Sequence, residues 1–393
     1  MTDEKTTEPA NSRYKINPEW ERYPLRKREV LQAWDAADEL ILEHLATLDL
    51  NGKRLLVVND SFGALATAVT LAEAQSEGDG KGSSAVESYT DSFVSAKAAD
   101  LNSAGKVLPF SDLARLSGHY DVVLVKIPKS MAFFEEILRR LSHHLSPGAK
   151  IISGYAVKHQ ANSSFDLLAK FIGPTTTSLA KKKARLIFCQ FEKTPASLAP
   201  APDVKIEGFK KPFQNLANVF SRDKLDIGTR FFLDHLPDET PEAVLDIGCG
   251  NGIVGIAAKL KWPKARVIFT DDSWMAVESA RLNFARYFPG EGQASSEFHW
   301  TNGFEAGAAN SVDLVLCNPP FHQGSTIGDF IASQMFRDAH QALEPGGRIR
   351  VIGNSHLKIG DQLRRTFRNV AGVAKNHKFT IFDSLKADTD GTE

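Results

Sequence analysis

The chain has 393 residues, 42% of them hydrophobic and 24% charged, an ordinary globular balance at a length suited to two or three domains. Its formal net charge of −1 gives no global sign of nucleic-acid binding, so any such role must rest on local clusters. The three cysteines lack metal or disulfide spacing, and no apolar run approaches the ~20 residues of a membrane span, which excludes a zinc or disulfide scaffold and a membrane-crossing helix.

The opening Met1-Thr2-Asp3-Glu4-Lys5 is polar, with no signal-peptide core. Cys189, Cys249 and Cys317 each sit in or beside an apolar strand-like run. Buried thiols are therefore expected, in keeping with a cytoplasmic protein. Residues 1–28 are polar and proline-punctuated and read as a loose lead-in. Val30–Leu48 has helical spacing, with Leu31, Trp34, Ala37, Leu40, Ile41, Leu45 and Leu48 on one stripe. Arg54–Val58 is a strand, and Ser76–Ala85 a glycine- and serine-rich loop. Asp121–Ile127 is an apolar strand ending at Pro128, Leu138–Leu145 is helical, and Pro147-Gly148 turns into the strand Lys150–Ser153. Lys181-Lys182-Lys183-Ala184-Arg185 is the densest basic run, a candidate RNA grip or else a solvated face. Arg22 to Arg28 and Lys358 to Arg368 are further basic runs.

Thr194–Asp203, rich in alanine and proline, reads as a linker between a domain at 29–193 and a second at 204–393. The second domain contains the stretch with the most chemistry. Ala243–Ile247 is an apolar strand carrying Asp246, followed by Gly248, Gly250 and Gly252 at alternate positions and the helix-like Ile253–Leu260. Strand, glycine turn and helix open a βαβ unit in which a ligand can approach the backbone closely. An acid just before the glycines suits a ligand with an amino group, such as the methionine end of S-adenosylmethionine (SAM). Arg266–Thr270 is a second strand, and Asp271 follows it about 20 residues after the loop, where a ribose diol needs an acceptor. Ser273 is the better cap for the helix from Trp274. Glu297–Trp300 is a third strand, with Asn302 in the turn after it. Val312–Cys317 runs into Asn318-Pro319-Pro320-Phe321-His322. Two prolines force a rigid extended exit and remove two amide donors. That leaves carbonyls, the Asn318 amide oxygen and an aromatic face, a set suited to a planar amino group. Arg348–Ile352 and Lys378–Phe382 are the last strands, the latter expected antiparallel at the far end of the sheet.

Parts of this order occur twice. Val57–Gly63 parallels Val244–Gly250, Asp121–Pro128 parallels Asp313–Pro320, and Ser146–Ile151 parallels Glu344–Ile349. The expected fold is therefore α/β, with two tandem Rossmann-like domains from an internal duplication. The first copy is degenerate, with Ser61 at the position of Gly248, Phe62 in the glycine turn and Lys126 at that of Asn318.

These motifs resemble the class I SAM-dependent methyltransferases, and more narrowly those that methylate the exocyclic N2 of guanine in bacterial ribosomal RNA. The resemblance extends over nearly the whole chain and includes Asn218-Val219-Phe220-Ser221-Arg222 and Leu225–Arg230. Length and the N-terminal half favour the large-subunit branch over its shorter small-subunit relative. The resemblance implies 23S rRNA as partner, SAM as cofactor and no metal. It implies catalytic roles for Asn318, Pro319, Pro320 and Phe321, and cofactor contacts from Asp246, Gly248, Gly250, Asn251, Asp271, Asn302, Asp226 and Thr229, with an N-cap as the rival reading of Asp226. Phe321 would stack on the base. The N-terminal copy would bind RNA or act as scaffold. The alternatives are another Asn-Pro-Pro-aromatic methyltransferase, acting on 16S rRNA guanine, adenine N6 or a protein glutamine, and a non-enzymatic RNA-binding assembly factor.

Overall fold

Two units divide the chain, residues 1–199 and 200–393, the break falling within 194–203. The computed structural model describes residues 13–26, 29–78, 84–159, 162–290, 295–305, 307–320 and 326–387.

The first unit runs α1 (Ala36–Leu45), β1 (Arg54–Val58), α2 (Ala64–Gly78), β2 (Ala85–Tyr89), α3 (Phe93–Asn102), β3 (Tyr120–Lys126), α4 (Met131–Leu141), β4 (Leu145–Ala156), α5 (Asn162–Phe171), β5 (Thr175–Thr177) and β6 (Ala184–Gln190). Its sheet has the order β2-β1-β3-β4-β6-β5. The first four strands are parallel, and β6 and β5 are antiparallel.

Several sequence expectations change here. The helix expected from Val30 starts at Ala36, because Asp35 caps it, accepting from the amides of Ala37 and Asp38 in a capping box. The described part of the loose lead-in, 13–26, is packed. Tyr14 and Trp20 are buried in the core, and Tyr14 Oη donates to Glu73 Oε1 of α2 at 2.9 Å. Their aromatic bulk, invisible to a polarity average over the segment, finds cover against α2 and α3. The helix expected at Leu138–Leu145 is α4, ending at Leu141, and β4 already begins at Leu145. Ser76–Ala85 is partly helix, since α2 continues to Gly78; residues 79–83 lie outside the described set.

The basic run is not a free cluster. Lys181 Nζ lies 2.7 Å from Glu43 and Lys182 Nζ 2.6 Å from Glu39, both on α1. Lys182 and Lys183 have φ of +49° and +64°, the tight turn that leads into β6.

The second unit runs β7 (Asp203–Val204), β8 (Phe213–Gln214), α6 (Ile227–Leu233), β9 (Ala243–Ile247), α7 (Ile253–Lys261), β10 (Arg266–Asp271), α8 (Trp274–Tyr287), β11 (Ser296–Trp300), β12 (Val312–Cys317), α9 (Thr326–Ala342), β13 (Leu343–Asn354), α10 (Ile359–Phe367), β14 (Ala371–Lys375) and β15 (Phe379–Leu385). The main sheet has the order β11-β10-β9-β12-β13-β15-β14. Strands β11 to β13 are parallel and β15 is antiparallel to β13. Arg350 holds that last register, forking onto Asp383 at 2.7 Å through two nitrogens. The expectation that β15 is the edge fails, because β14 pairs outside it. Ala371–Lys375 carries no strand signal, and its hydrogen bonds to β15 alone make it a strand.

Both faces of this sheet are covered, which is why β9 and β12 read as unbroken apolar runs. Alternate residues serve opposite cores. Val244, Leu314 and Leu316 pack with Ile256 and Phe284 of α7 and α8. Leu245, Val315 and Cys317 pack with Phe336 and Leu363 of α9 and α10. The chain turns in opposite directions from β9 and from β12, so their C-terminal ends leave a crevice between them.

Candidate active site

That crevice is a cavity of about 660 Å³. Gly248, Gly250 and Asn251 line it from the end of β9, and Asp271 and Asn302 from the ends of β10 and β11. Asn318, Pro319 and Pro320 line it from β12, and Asp226 and Thr229 from the start of α6. Asp246 also lines it. Eleven of the twelve residues named from the sequence thus share one cavity. The twelfth, Phe321, lies outside the described residues, as does His322.

The glycine loop is built from both ends. Amides of Gly248 and Cys249 donate to Thr270 O at 2.8 and 2.9 Å, tying the loop to β10. Gly250 N donates to Asp271 Oδ2 at 2.9 Å, and Ser273 N to Asp271 Oδ1 at 2.9 Å. Ser273 caps α8 by accepting from Ala276 N, so Asp271 ties the loop to the entry of the helix without being its cap. Gly252 has φ +80°, and a Cβ there would stand 3.0 Å from the Ala280 backbone. This glycine is needed for packing α7 on α8. Gly250 differs: with φ +55°, a Cβ would meet nothing within 4 Å and would project into unfilled space.

Asp246 is buried, and its Oδ2 accepts from Gly255 N at 2.8 Å. Burial, with the charge of Asp271 adding, pushes its carboxyl up to about 7. A carboxylate held this way is short of positive partners.

Asn318 has one half of its amide fixed and the other open. Its Nδ2 donates to Thr229 Oγ1 at 3.0 Å. Its Oδ1 is buried and has no hydrogen-bond partner among the described residues. A buried acceptor left unmet costs on the order of 1–3 kcal/mol, so this oxygen is poised for a donor in the cavity. Thr229 is itself held, with its amide donating to Asp226 Oδ2 at 3.0 Å. Asp226 is therefore the N-cap of α6 as well as a lining residue. Asn251 is also engaged, its Nδ2 donating to Asn215 Oδ1 at 3.1 Å, and Asn302 Nδ2 donates to Glu305 at 3.1 Å.

The sequence reading missed the strap above the loop. Asn283 of α8 accepts from Gln214 N at 2.7 Å and donates to Asn251 O at 3.1 Å. Ser279 of α8 accepts from Leu216 N at 3.0 Å, and Asn215 Nδ2 donates to Arg222 O at 2.6 Å. This chain of amides holds 214–222 over the cavity. The signal was present as buried Ser279 and Asn283 on a helix face, but their partners lie 63 to 69 residues away in the sequence.

Among the described residues no His, Cys, Asp and Glu group could hold a metal ion, and no helix is long and apolar enough to cross a membrane.

Comparison with known proteins agrees with this architecture. Residues 210–383 match the Methyltransferase small domain family, and residues 11–193 match the RLMG N-terminal domain family. A Ribosomal RNA large subunit methyltransferase G from Pseudomonas fluorescens is 42% identical over 93% of this chain and 96% of its own length. The relative of the same name from Erwinia tasmaniensis is 41% identical with the same coverage. Among solved structures, a T. thermophilus 16S rRNA N2 methyltransferase in complex with AdoMet and guanosine aligns with TM-score 0.72. It covers 90% of this chain and 92% of its own, and at 20% identity it bears on the fold alone. The identity and coverage of the first two relatives show that the chain belongs to the Ribosomal RNA large subunit methyltransferase G family.

Proposed function

We propose that the chain transfers a methyl group from SAM to the exocyclic N2 of a guanosine in 23S rRNA, through the cavity described above. The observation that carries this reading is Asn318, with its amide nitrogen fixed on Thr229 and its oxygen buried and open. The other lining groups fit SAM. Gly250 leaves room beside the backbone, Asp246 is a buried acid with no ion-pair partner among the described residues, and Asp271 offers carboxylate oxygens at the rim of the loop.

SAM supplies a methyl group on a sulfonium whose departure needs no metal. The protein's task is the nucleophile. Guanine N2 shares its lone pair with the ring, and attack requires that density back on nitrogen. Asn318 Oδ1 and the Pro319 carbonyl accept the two N–H bonds, which favours a more tetrahedral nitrogen and fixes its direction of approach. Pro319 and Pro320 bring no amide N–H that could compete for those acceptors. The target base must be unpaired or flipped to reach the site.

We infer also that the first unit is a degenerate copy of the second. Its sheet repeats the order of the second from β10 onward. Asp35 and Asp38 of α1 correspond to Asp226 and Thr229 of α6, as N-cap and third helical residue. Lys126 corresponds to Asn318, and its Nζ lies 2.6 Å from Asp35 and 2.7 Å from Asp38. A buried ion pair thus occupies the slot that in the second unit holds an open amide.

The reading is tested by incubating the full-length protein with SAM and unmodified 23S rRNA, then analysing nucleosides by mass spectrometry. N2-methylguanosine is expected. N6-methyladenosine, or no methylated nucleoside from either free rRNA or large-subunit particles, would overturn it.

Two predictions follow from the acids. Asp271→Ala removes the acceptor of Gly250 N and a ligand contact together, and should weaken SAM binding by about 1–3 kcal/mol by calorimetry. Asp246, with a carboxyl near 7 in the folded protein, keeps its proton in mildly acid solution and must lose it to meet the ammonium of SAM. SAM affinity should therefore fall toward roughly tenfold per unit as the pH drops below about 7. Asp246→Asn should bind more weakly at pH 8 and show no such slope; a slope unchanged in that variant would assign the titration elsewhere.

A further inference from the structure

Residues 354–378 carry six basic residues, Lys358, Arg364, Arg365, Arg368, Lys375 and Lys378, against one acid, Asp361. In a chain of net charge −1 this is a marked concentration, and the tertiary structure brings part of it to the cavity. β12 and β13 are parallel, with Cys317 opposite Val351, so Asn318 and the turn after Asn354 leave the same end of the sheet. Asn354 pairs with Phe379, and Ser355 N donates to Lys378 O at 2.8 Å. Asn376 Oδ1 accepts from the amides of Lys378 and Phe379 at 2.9 and 2.8 Å, which holds the β14–β15 turn rigid. Phe379 packs on the first turn of α6, where a Cβ on Gly228 would lie 2.9 Å from its ring. Gly228 adjoins Thr229, which holds Asn318. Lys358, Lys375 and Lys378 therefore sit on segments that leave the sheet at the same end as Asn318.

All three lysines are exposed, and none makes an ion pair with another described residue. Lys181 and Lys182 of the first unit, by contrast, are both paired with glutamates. Lys224, also exposed, lines the cavity itself. Close to it in sequence, Phe220 lines the cavity while 67% exposed, an open aromatic face where burial would be favoured. Cations next to an uncovered ring suit a single strand, with ammonium groups on phosphates and the ring under a base.

Resting on the rRNA-methylation reading above, the geometry points to this rim as the surface that takes the single-stranded RNA flanking the target nucleotide. Lys224, Lys358, Lys375 and Lys378 hold phosphates, and Phe220 stacks on a neighbouring base.

The test is filter binding of protein-free 23S rRNA across salt concentrations, with SAM affinity measured in parallel. Changing Lys358, Lys375 and Lys378 together to Glu should lower RNA affinity at least tenfold and reduce the salt slope by about two, at roughly −0.7 per phosphate contact. SAM affinity should hold. If the reversal lowers SAM affinity, the triple Gln variant, which keeps side-chain length, gives the same reading. Phe220→Ala should lower RNA affinity about tenfold with the slope unchanged, because stacking releases no counterions. A wild-type slope in the Lys358, Lys375 and Lys378 variants, or wild-type RNA affinity in Phe220→Ala, would overturn the inference. Failure of the methylation reading would show separately, as absence of methyl incorporation by the wild-type protein.

Discussion

Asn318→Ala should cut turnover on rRNA by about 10²-fold or more while leaving SAM affinity nearly unchanged. The variant removes Oδ1, a buried acceptor with no hydrogen-bond partner among the described residues, and the Nδ2 hydrogen bond to Thr229 Oγ1, which is worth about 1 kcal/mol of stability. What disappears is the contact to the reacting amino group. A neighbouring variant separates positioning from contact. Thr229→Val takes away the oxygen that receives Asn318 Nδ2 at 3.0 Å, leaving the amide free to rotate. Turnover should fall roughly tenfold with KM for RNA little changed, and Thr229→Ser should restore it, since the hydroxyl returns. Single-turnover methylation under saturating SAM and RNA reads both effects. If Asn318→Ala instead keeps its turnover and loses SAM binding, the residue belongs to the cofactor and the role given to it here is wrong.

Gly250→Val should abolish measurable SAM binding and leave a folded protein. The backbone there has φ +55°, and a Cβ would touch no protein atom within 4 Å. The added methyls would fill cavity space that the ligand needs, while the left-handed backbone costs only about 1–2 kcal/mol for a non-glycine residue. Gly252→Val is the contrasting control. Its Cβ would stand 2.8 Å from Ala280 Cβ and 3.0 Å from Ala280 Cα, forcing α7 off α8, so it should lower the melting temperature as well as SAM binding. Thermal unfolding and calorimetry on the two variants distinguish ligand exclusion from lost packing. Equal SAM affinity for Gly250→Val and wild type would remove the glycine loop from the cofactor site.

Much of the site was legible in sequence because its parts are local. Asp246 with its glycines, Asp271, and Asn318 with its prolines each follow an apolar strand, and parallel strands deliver their C-terminal ends to one edge of the sheet. Period and punctuation therefore sufficed to bring these residues together before any contact was known. Strand order was open to the same logic up to β13. It failed at β14, where Ala371–Lys375 is a strand only by virtue of its partner.

What the tertiary structure alone decided is who pairs with whom. Asp226 already carried an N-cap as its rival reading, which the fold bears out; what only the fold shows is that Thr229 supports Asn318, a residue 89 positions away. Lys181 and Lys182 read as a candidate RNA grip or a solvated face, and the fold pairs them with glutamates on α1, about 140 residues earlier. Lys358, Lys375 and Lys378, which make no ion pair with another described residue, are spread through a less dense run. Charge density along the chain does not reveal pairing, because pairing depends on whether a carboxylate lies within reach of the ammonium. That condition is set by the packing of distant segments and is absent from any local window of the sequence.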